Sequence, residues 1–221
     1  KENNLRAIIH LASQVAVTTS VSNPINDFNI NALGTLNILE AVRHFSPNSP
    51  FIYSSTNKVY GLLNKVKIIE GLKRYEIENK IGINETEPLD FHSPYGCSKG
   101  SADQYVLDYA RIFNLKTVSF RQSCIYGERQ FGIEDQGWLA WFIIATILGR
   151  KISIYGDGKQ VRDVLYIQDL VKLYENFIEK GSNLNGKAYN VGGGLKFSLS
   201  LIEFIDILKE HGLEISYTFG D

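Results

Sequence analysis

The chain has 221 residues, 44% of them hydrophobic, with 23 Lys+Arg against 24 Asp+Glu. That length suits one large domain or one and a half ordinary ones, and the apolar share is normal for a chain that buries a core. The even charge excludes the basic excess of a nucleic-acid binder and an acidic disordered tail, and no apolar run reaches the roughly 18 residues of a membrane span.

Two cysteines, Cys97 and Cys124, are too few for a disulfide framework. With no signal-peptide pattern visible, a reduced, cytoplasmic setting is expected. The absence of Met and the strand patterns lying close to both ends predict a piece of a longer chain.

In chain order, the strand candidates are Arg6–Leu11, Pro50–Ser54, Lys116–Arg121, Ile152–Tyr155, Ala188–Val191 and Glu214–Phe219. Helical patterns fall at Asn23 to about Phe45, Pro94–Phe113, Gly137–Leu148, Ile167–Glu179 and Leu199–His211. Strands alternating with helices predict an α/β fold around a doubly wound parallel sheet. Pro94 suits a first helical turn, and Ser93 before it can cap the free amides. Asn64–Glu87, rich in Lys, Glu and Asn, is expected as a surface insertion. A second, smaller subdomain is expected to begin near Lys151, where strands shorten and glycines become dense.

Metal binding is not expected, because His10, His44, His92 and His211 are scattered and no CxxC occurs. Gly192-Gly193-Gly194 fits neither GxGxxG nor GxxxxGK[ST] and is expected as a strand-to-helix loop. Gly156-Asp157-Gly158 is expected as a turn between two strands.

Two stretches carry chemistry. In Tyr95-Gly96-Cys97-Ser98-Lys99 a phenol and an ammonium stand four apart, on one face of a helix. A free Tyr is a poor base near neutral pH. A nearby ammonium and the positive end of the helix both favour the phenolate, which can then take a proton from a substrate hydroxyl. In Phe51 to Gly61 a buried strand ends in the hydroxyls Ser54, Ser55 and Thr56, where ligands of open parallel sheets collect.

With these, the chain resembles the extended short-chain dehydrogenase/reductase family of nucleotide-sugar epimerases and dehydratases. His10-Leu11-Ala12 resembles its cofactor-lining strand, Asn31-Ala32-Leu33-Gly34-Thr35 its N-x-x-G-T helix motif, and Arg121 to Gly127 its R-x-x-N-x-Y-G strand. Arg162-Asp163 resembles its R-D motif near the substrate's nucleotide and phosphates. Within the family, Ser54 to Gly61, Leu89 to Gly100, Asp103-Gln104-Tyr105, Asp135 to Trp138 and Gly158 to Val164 are most similar to the CDP-paratose 2-epimerase group.

The resemblance implies a Rossmann-like sheet whose N-terminal part is missing from this chain. Residues 1–150 would be the partial NAD-binding domain and 151–221 mainly the substrate-binding subdomain, with segments interleaved. It implies Thr56, Tyr95 and Lys99 as the catalytic set. Leu11, Ala12, Gln14, Asn31, Ser54, Ser55, Tyr95 and Lys99 would hold NAD. Thr56, Asn57, Cys124, Arg129 and Arg162 would hold a CDP-linked sugar. The implied reaction is redox-neutral. Tyr95 takes the proton of a sugar hydroxyl aligned by Thr56, hydride passes to NAD, and it returns to the other face of the transient ketone. The implied setting is lipopolysaccharide O-antigen synthesis.

Three departures stand out. The first glycine-rich turn is absent. Cys124 replaces the usual Asn, and Val15 stands where galactose epimerases carry Lys. The family's 4,6-dehydratases place Asp-Glu after the catalytic Ser/Thr, where this chain has Asn57-Lys58; an amide moves no proton, so dehydration is the lesser alternative. A non-catalytic NAD-binding protein is less expected still, given the intact triad. A homodimer is expected, built on the helix from Asn31 (Leu33, Leu36, Asn37, Glu40, Arg43) and the helix from Pro94 (Ala102, Tyr105, Val106, Tyr109, Phe113).

Overall fold

Phe51–Thr56 (β2) alternates Phe51, Tyr53 and Ser55 with Ile52, Ser54 and Thr56, and nearly all of these side chains are buried. A strand apolar on both faces belongs in the middle of a covered parallel sheet, and the computed structural model places it there. The structure describes residues 5–78, 81–181 and 184–220; the predicted fragment start at Lys1 lies outside them. Among these residues the main sheet is parallel, in the order β1 (Ile8–His10), β2, β5 (Thr117–Gln122), β9 (Lys187–Val191).

Helices cover both faces of this sheet. On one face α3 (Gly34–Phe45) and α4 (Ser93–Phe113) bury Leu39, Val42, Ala102, Val106 and Tyr109 against Phe51 and Tyr53. On the other, Tyr174 of α6 (Ile167–Lys180) stacks on Phe120 with ring centroids 5.8 Å apart, and Phe177 meets the same ring edge-on. The sheet is therefore doubly wound, as expected.

The helix expected from Asn23 to Phe45 is divided. Asn23 caps α2 (Pro24–Phe28), a π-helical turn follows over Asn29–Leu33, and α3 continues from Gly34. A further helix, α1 (Val17–Ser22), precedes it. Its β-branched and hydroxyl residues have poor helix propensity, and packing on α4 overrides that preference.

The chain divides into two compact units. The first comprises Lys1–Leu63, Asn84–Gln122 and Gln168–Val191, and the second Asn64–Ile83, Ser123–Ile167 and Gly192–Asp221. The break falls at Gln122/Ser123 instead of near Lys151, because the strand partners change there. β6 (Cys124–Tyr126) leaves the main sheet and pairs with β8 (Val161–Tyr166), which also pairs with β10 (Ser198–Ser200). α6 and β9 then return to the first unit.

In the second unit α5 (Trp138–Ile147) and α7 (Leu201–Glu210) enclose a core with β7 (Ile152–Tyr155), through Leu139, Phe142, Ile152, Ile154, Phe204 and Leu208. The final strand is β11 (Tyr217–Gly220), paired with β7 and shorter than predicted at its start. The expected insertion forms a hairpin, β3 (Ile68–Glu70) and β4 (Tyr75–Ile77). The β7–β8 turn holds Gly156 and Gly158 at φ of 77° and 75°, conformations that glycine adopts without strain. In the Gly192–Gly194 loop, the Asp163 carboxylate accepts the Gly194 amide at 3.0 Å. A Cβ on Gly192 would overlap that same carboxylate.

Candidate active site

Three features of the first unit bring α4 to the end of β2. Pro94 opens the helix, Ser93 sits at φ of 65°, and the Ser93 hydroxyl accepts the Gly96 amide at 3.2 Å, which is the capping bond expected of it. Gly100 lets the helix lie against the Phe91 ring, which a Cβ there would meet at 2.3 Å. Thr56 ends β2, and its Oγ accepts the Lys58 amide at 3.2 Å to start the 3-10 turn Asn57–Tyr60.

Thr56, Tyr95 and Lys99 are 8%, 9% and 3% exposed. The Thr56 hydroxyl lies close enough to the Tyr95 hydroxyl to lower its proton affinity. Lys99 Nζ donates to the Ser54 carbonyl at 2.6 Å and stands 4.4 Å from the centre of the Tyr53 ring.

Burial dominates the protonation of both groups. It raises Tyr95 above the ordinary phenol value, against the lowering effect of the Thr56 hydroxyl, and the Asp27 carboxylate adds to the rise. It pulls Lys99 down to about 8, opposed by Asp103 and Asp27. The expectation that Lys99 would bring Tyr95 toward neutrality is not met in this state. Both groups are desolvated together, and the ammonium is turned toward a carbonyl and a ring.

Beneath the triad lies a network of buried polar groups. The Asp103 carboxylate accepts from Ser55 at 2.8 Å, from Ser119, and from two nitrogens of Arg121, at 2.8 and 3.2 Å. Arg121 also donates to the Tyr60 hydroxyl at 2.9 Å. Asn31, on the π-turn, accepts from the Ser13 hydroxyl and the Gln14 amide, and its Nδ2 lies 3.0–3.1 Å from Ser98, Asp27 and the Gln14 carbonyl. Gln14 in turn donates to Asp27 at 2.7 Å. His10, held neutral by burial, lies 3.0 Å from the Thr35 hydroxyl. Ser54 donates to Gln122 at 2.9 Å, and Gln122 donates to Tyr174.

The structure therefore sorts the predicted cofactor residues. Ser55, Asn31 and Gln14 spend their polar atoms on the protein: Ser55 on Asp103, and Asn31 and Gln14 on shaping the β1–α1 loop. Leu11, 59% exposed, and Ala12 leave the end of β1 as apolar surface suited to a flat ring. Lys99 has one of three donors on Ser54, and a ribose diol suits the others. This donor set at the carboxyl ends of parallel strands fits a nicotinamide nucleotide.

Asn57 is exposed beside Thr56. Cys124, Arg129 and Arg162 belong to the second unit. Cys124 is a half-buried free thiol opening β6. Arg129 is exposed at φ of 63°, and Arg162 lies opposite Leu199 on β8. Asp27, Asp103 and Tyr174 were not foreseen as parts of the site. For Asp27 a signal existed, since it stands four residues before Asn31 with its carboxylate on the same helical side.

The face expected to dimerise needs one correction. Tyr109 is 7% exposed, packs in the core and donates to Glu40 at 2.7 Å, whereas Tyr105 is 44% exposed. Tyr109 therefore belongs to the interior, and a charge placed there would break the fold before it tested any interface.

Comparison with known proteins identifies the class. The model of the NAD dependent epimerase/dehydratase family matches residues 1–192, and the chain belongs to that family. It is 51% identical over 208 residues to CDP-paratose 2-epimerase of Salmonella typhi, covering 91% of this chain and 62% of that protein. It is 32% identical over 206 residues to a putative UDP-glucose 4-epimerase of Methanocaldococcus jannaschii, covering 93% of this chain and 61% of that one. The UDP-glucose 4-epimerase of Thermotoga maritima, solved with UDP-glucose, superposes with a TM-score of 0.78 at 29% identity, over 98% of this chain and 65% of that chain. The Thermus thermophilus UDP-glucose 4-epimerase, solved with NAD, gives 0.77 at 29% identity, over 96% and 64%. The chain spans about three-fifths of the length of the curated relatives it matches.

Proposed function

We propose that the full-length protein is an NAD-dependent epimerase of a nucleotide-linked sugar, acting on CDP-paratose at C2 to give CDP-tyvelose. The observation that carries this reading is the buried Thr56–Tyr95–Lys99 set at the end of β2, taken with the 51% identity to the Salmonella enzyme. NAD, when bound, supplies a reversible hydride acceptor. Tyr95 takes the proton of the sugar hydroxyl and later returns it, on the general acid–base scale of about 10²–10⁴-fold. Thr56 orients that hydroxyl, and Lys99 grips the ribose of the cofactor. Asn57, Cys124, Arg129 and Arg162 are proposed to contact the substrate, with Arg162 suited to its phosphates.

Dehydration to a 4-keto-6-deoxy sugar needs a further acid and base beside Thr56, and Asn57-Lys58 offers an amide and an ammonium instead. The test is incubation of full-length protein with NAD and CDP-paratose, followed by NMR of the sugar. CDP-tyvelose supports the reading, and a 4-keto-6-deoxy product from a nucleotide hexose overturns it. We further propose a cytoplasmic homodimer serving O-antigen synthesis and joined through the exposed apolar residues Ile38, Tyr105 and Ile112. Light scattering at micromolar concentration is expected to give a dimer that Tyr105→Glu dissociates.

No helix of the described residues is long and apolar enough to cross a membrane, and none of their His, Cys, Asp and Glu side chains cluster as metal ligands would.

A further inference from the structure

Asp27 is the buried titratable group that the proposed chemistry leaves unused. It is 1% exposed, and its partners are all neutral: Gln14 Nε2 at 2.7 Å and Asn31 Nδ2 at 3.1 Å donate to Oδ1, while the Ser98 hydroxyl donates to Oδ2. Asp103 differs, because Arg121 neutralises it at 2.8 Å. A carboxylate taken out of water without a counter-charge is costly, and removing its compensation is more so. Ser98, which binds Asp27, is the residue before Lys99 on α4, and the Lys99 ammonium feels the charge of Asp103 and, less strongly, that of Asp27.

We propose that Asp27 is a positioning residue for the Tyr95–Lys99 pair: a buried carboxylate, fixed by Gln14, Asn31 and Ser98, that keeps the Lys99 ammonium charged while anchoring the β1–α1 loop. Its catalytic consequence rests on the epimerase reading; its electrostatic part stands without it.

The groups facing Lys99 can be named element by element. Asp27 approaches from α2, Asp103 and Tyr95 share its own helix, the Tyr53 ring and the Ser54 carbonyl come from β2, and His10 comes from β1. His10 is kept neutral by burial and by Lys99 itself. Asp103 is bound twice by Arg121. Asp27 thus acts on Lys99 beside Asp103, and unlike Asp103 it forms no ion pair among the described residues. Its removal has a signed effect on both members of the pair. An anion raises the pKa of a lysine and of a phenol alike, so loss of Asp27 lowers both, and the working pH range moves toward acid.

Asp27→Asn is the sharp variant, because the Ser98 hydroxyl can turn to accept from the new amide. The hydrogen bonds then survive while the charge goes. The experiment is an NMR titration of ¹³C-lysine-labelled full-length protein, with Lys99 assigned by its loss in Lys99→Arg. The wild type should show one lysine titrating at about 8. In Asp27→Asn that midpoint should fall, because the anion that favours the ammonium is gone. Asp27→Ser makes the same prediction if the amide variant does not fold. An unmoved Lys99 midpoint overturns the proposal.

The pH profile of kcat/KM supplies the second readout. Displacement of both limbs toward acid supports the role, and a lowered profile with unmoved limbs reduces Asp27 to a structural residue and overturns it. A wild type that turns over no nucleotide sugar, yet keeps the Lys99 shift, sinks the epimerase reading and leaves this inference standing.

Discussion

At the strand ends of the first unit, Asp27, Asp103, Lys99 and Arg121 are all buried, and each is met by hydroxyls, amides, a backbone carbonyl or an opposite charge. In the second unit, the β3–β4 hairpin is also laced by charge, but toward solvent. Lys73 reaches Asp206 at 2.7 Å, Lys159 reaches Glu70 and Tyr75 reaches Asp157, each at 2.5 Å, and Arg74 bridges Ser198 and Glu203. The bonds are as short, but the surroundings decide what they do. Exposed pairs contribute little, since water screens them and long side chains must be ordered. Buried pairs are costly to form and costlier to break, and they shift proton affinities where chemistry needs it. The first unit carries the candidate site, whereas the hairpin carries a clasp.

Arg121→Met should sharpen this contrast most. It leaves Asp103 buried with only hydroxyl and amide partners, and denaturant unfolding should show a loss of about 3–5 kcal/mol. Next in size, Tyr95→Phe should fold normally and lose at least about 10²-fold in turnover, the scale of a removed general base. Near wild-type turnover would put the proton on another residue.

The pH dependence comes third. Burial depresses Lys99 to about 8 and lifts Tyr95 above the ordinary phenol value, so below pH 8 the phenolate is gained while the ammonium persists, and above it the two changes offset; kcat/KM should climb with pH and level off at about 8. The folded lysine binds its proton less tightly than the unfolded one, so its burial costs stability below pH 8 and the cost is relieved as pH rises toward the ordinary lysine value. Lys99→Arg, which stays charged, should be slower and lack the break at that pH. Smallest of all, Lys73→Ala should leave the melting temperature unchanged within error. A large drop there would erase the distinction between clasp and site.

The legible parts of the chain were those with local signals. The buried strand expected at Pro50–Ser54, which runs on to Thr56, the Ser93–Pro94 helix start and the Tyr95/Lys99 spacing each carry their meaning within a few residues, and all stand in the structure close to where they were expected. The parts that could not be read depend on distant partners. β6 reads as a continuation of β5 until its pairing with β8, some forty residues on, draws it into the other unit. The hairpin strands have three residues each, too few for a periodic pattern. Tyr109 has the spacing of an exposed stripe, and only its packing on Phe113 and Glu40 shows it to be interior. Asp27 looks like any first-turn acid capping a helix; its burial becomes visible only when Ser98, seventy-one residues away, closes over it.

The most direct test of the proposed chemistry follows the hydrogen at the inverted carbon. Full-length protein with NAD is given CDP-paratose deuterated at C2 in ordinary water, and the product is examined by mass spectrometry and NMR. Oxidation and reduction at one carbon, with Tyr95 handling only the hydroxyl proton, predicts CDP-tyvelose that keeps its deuterium. Product that has exchanged the label for solvent hydrogen would mean deprotonation at carbon and would contradict the assignment of Thr56, Tyr95 and Lys99.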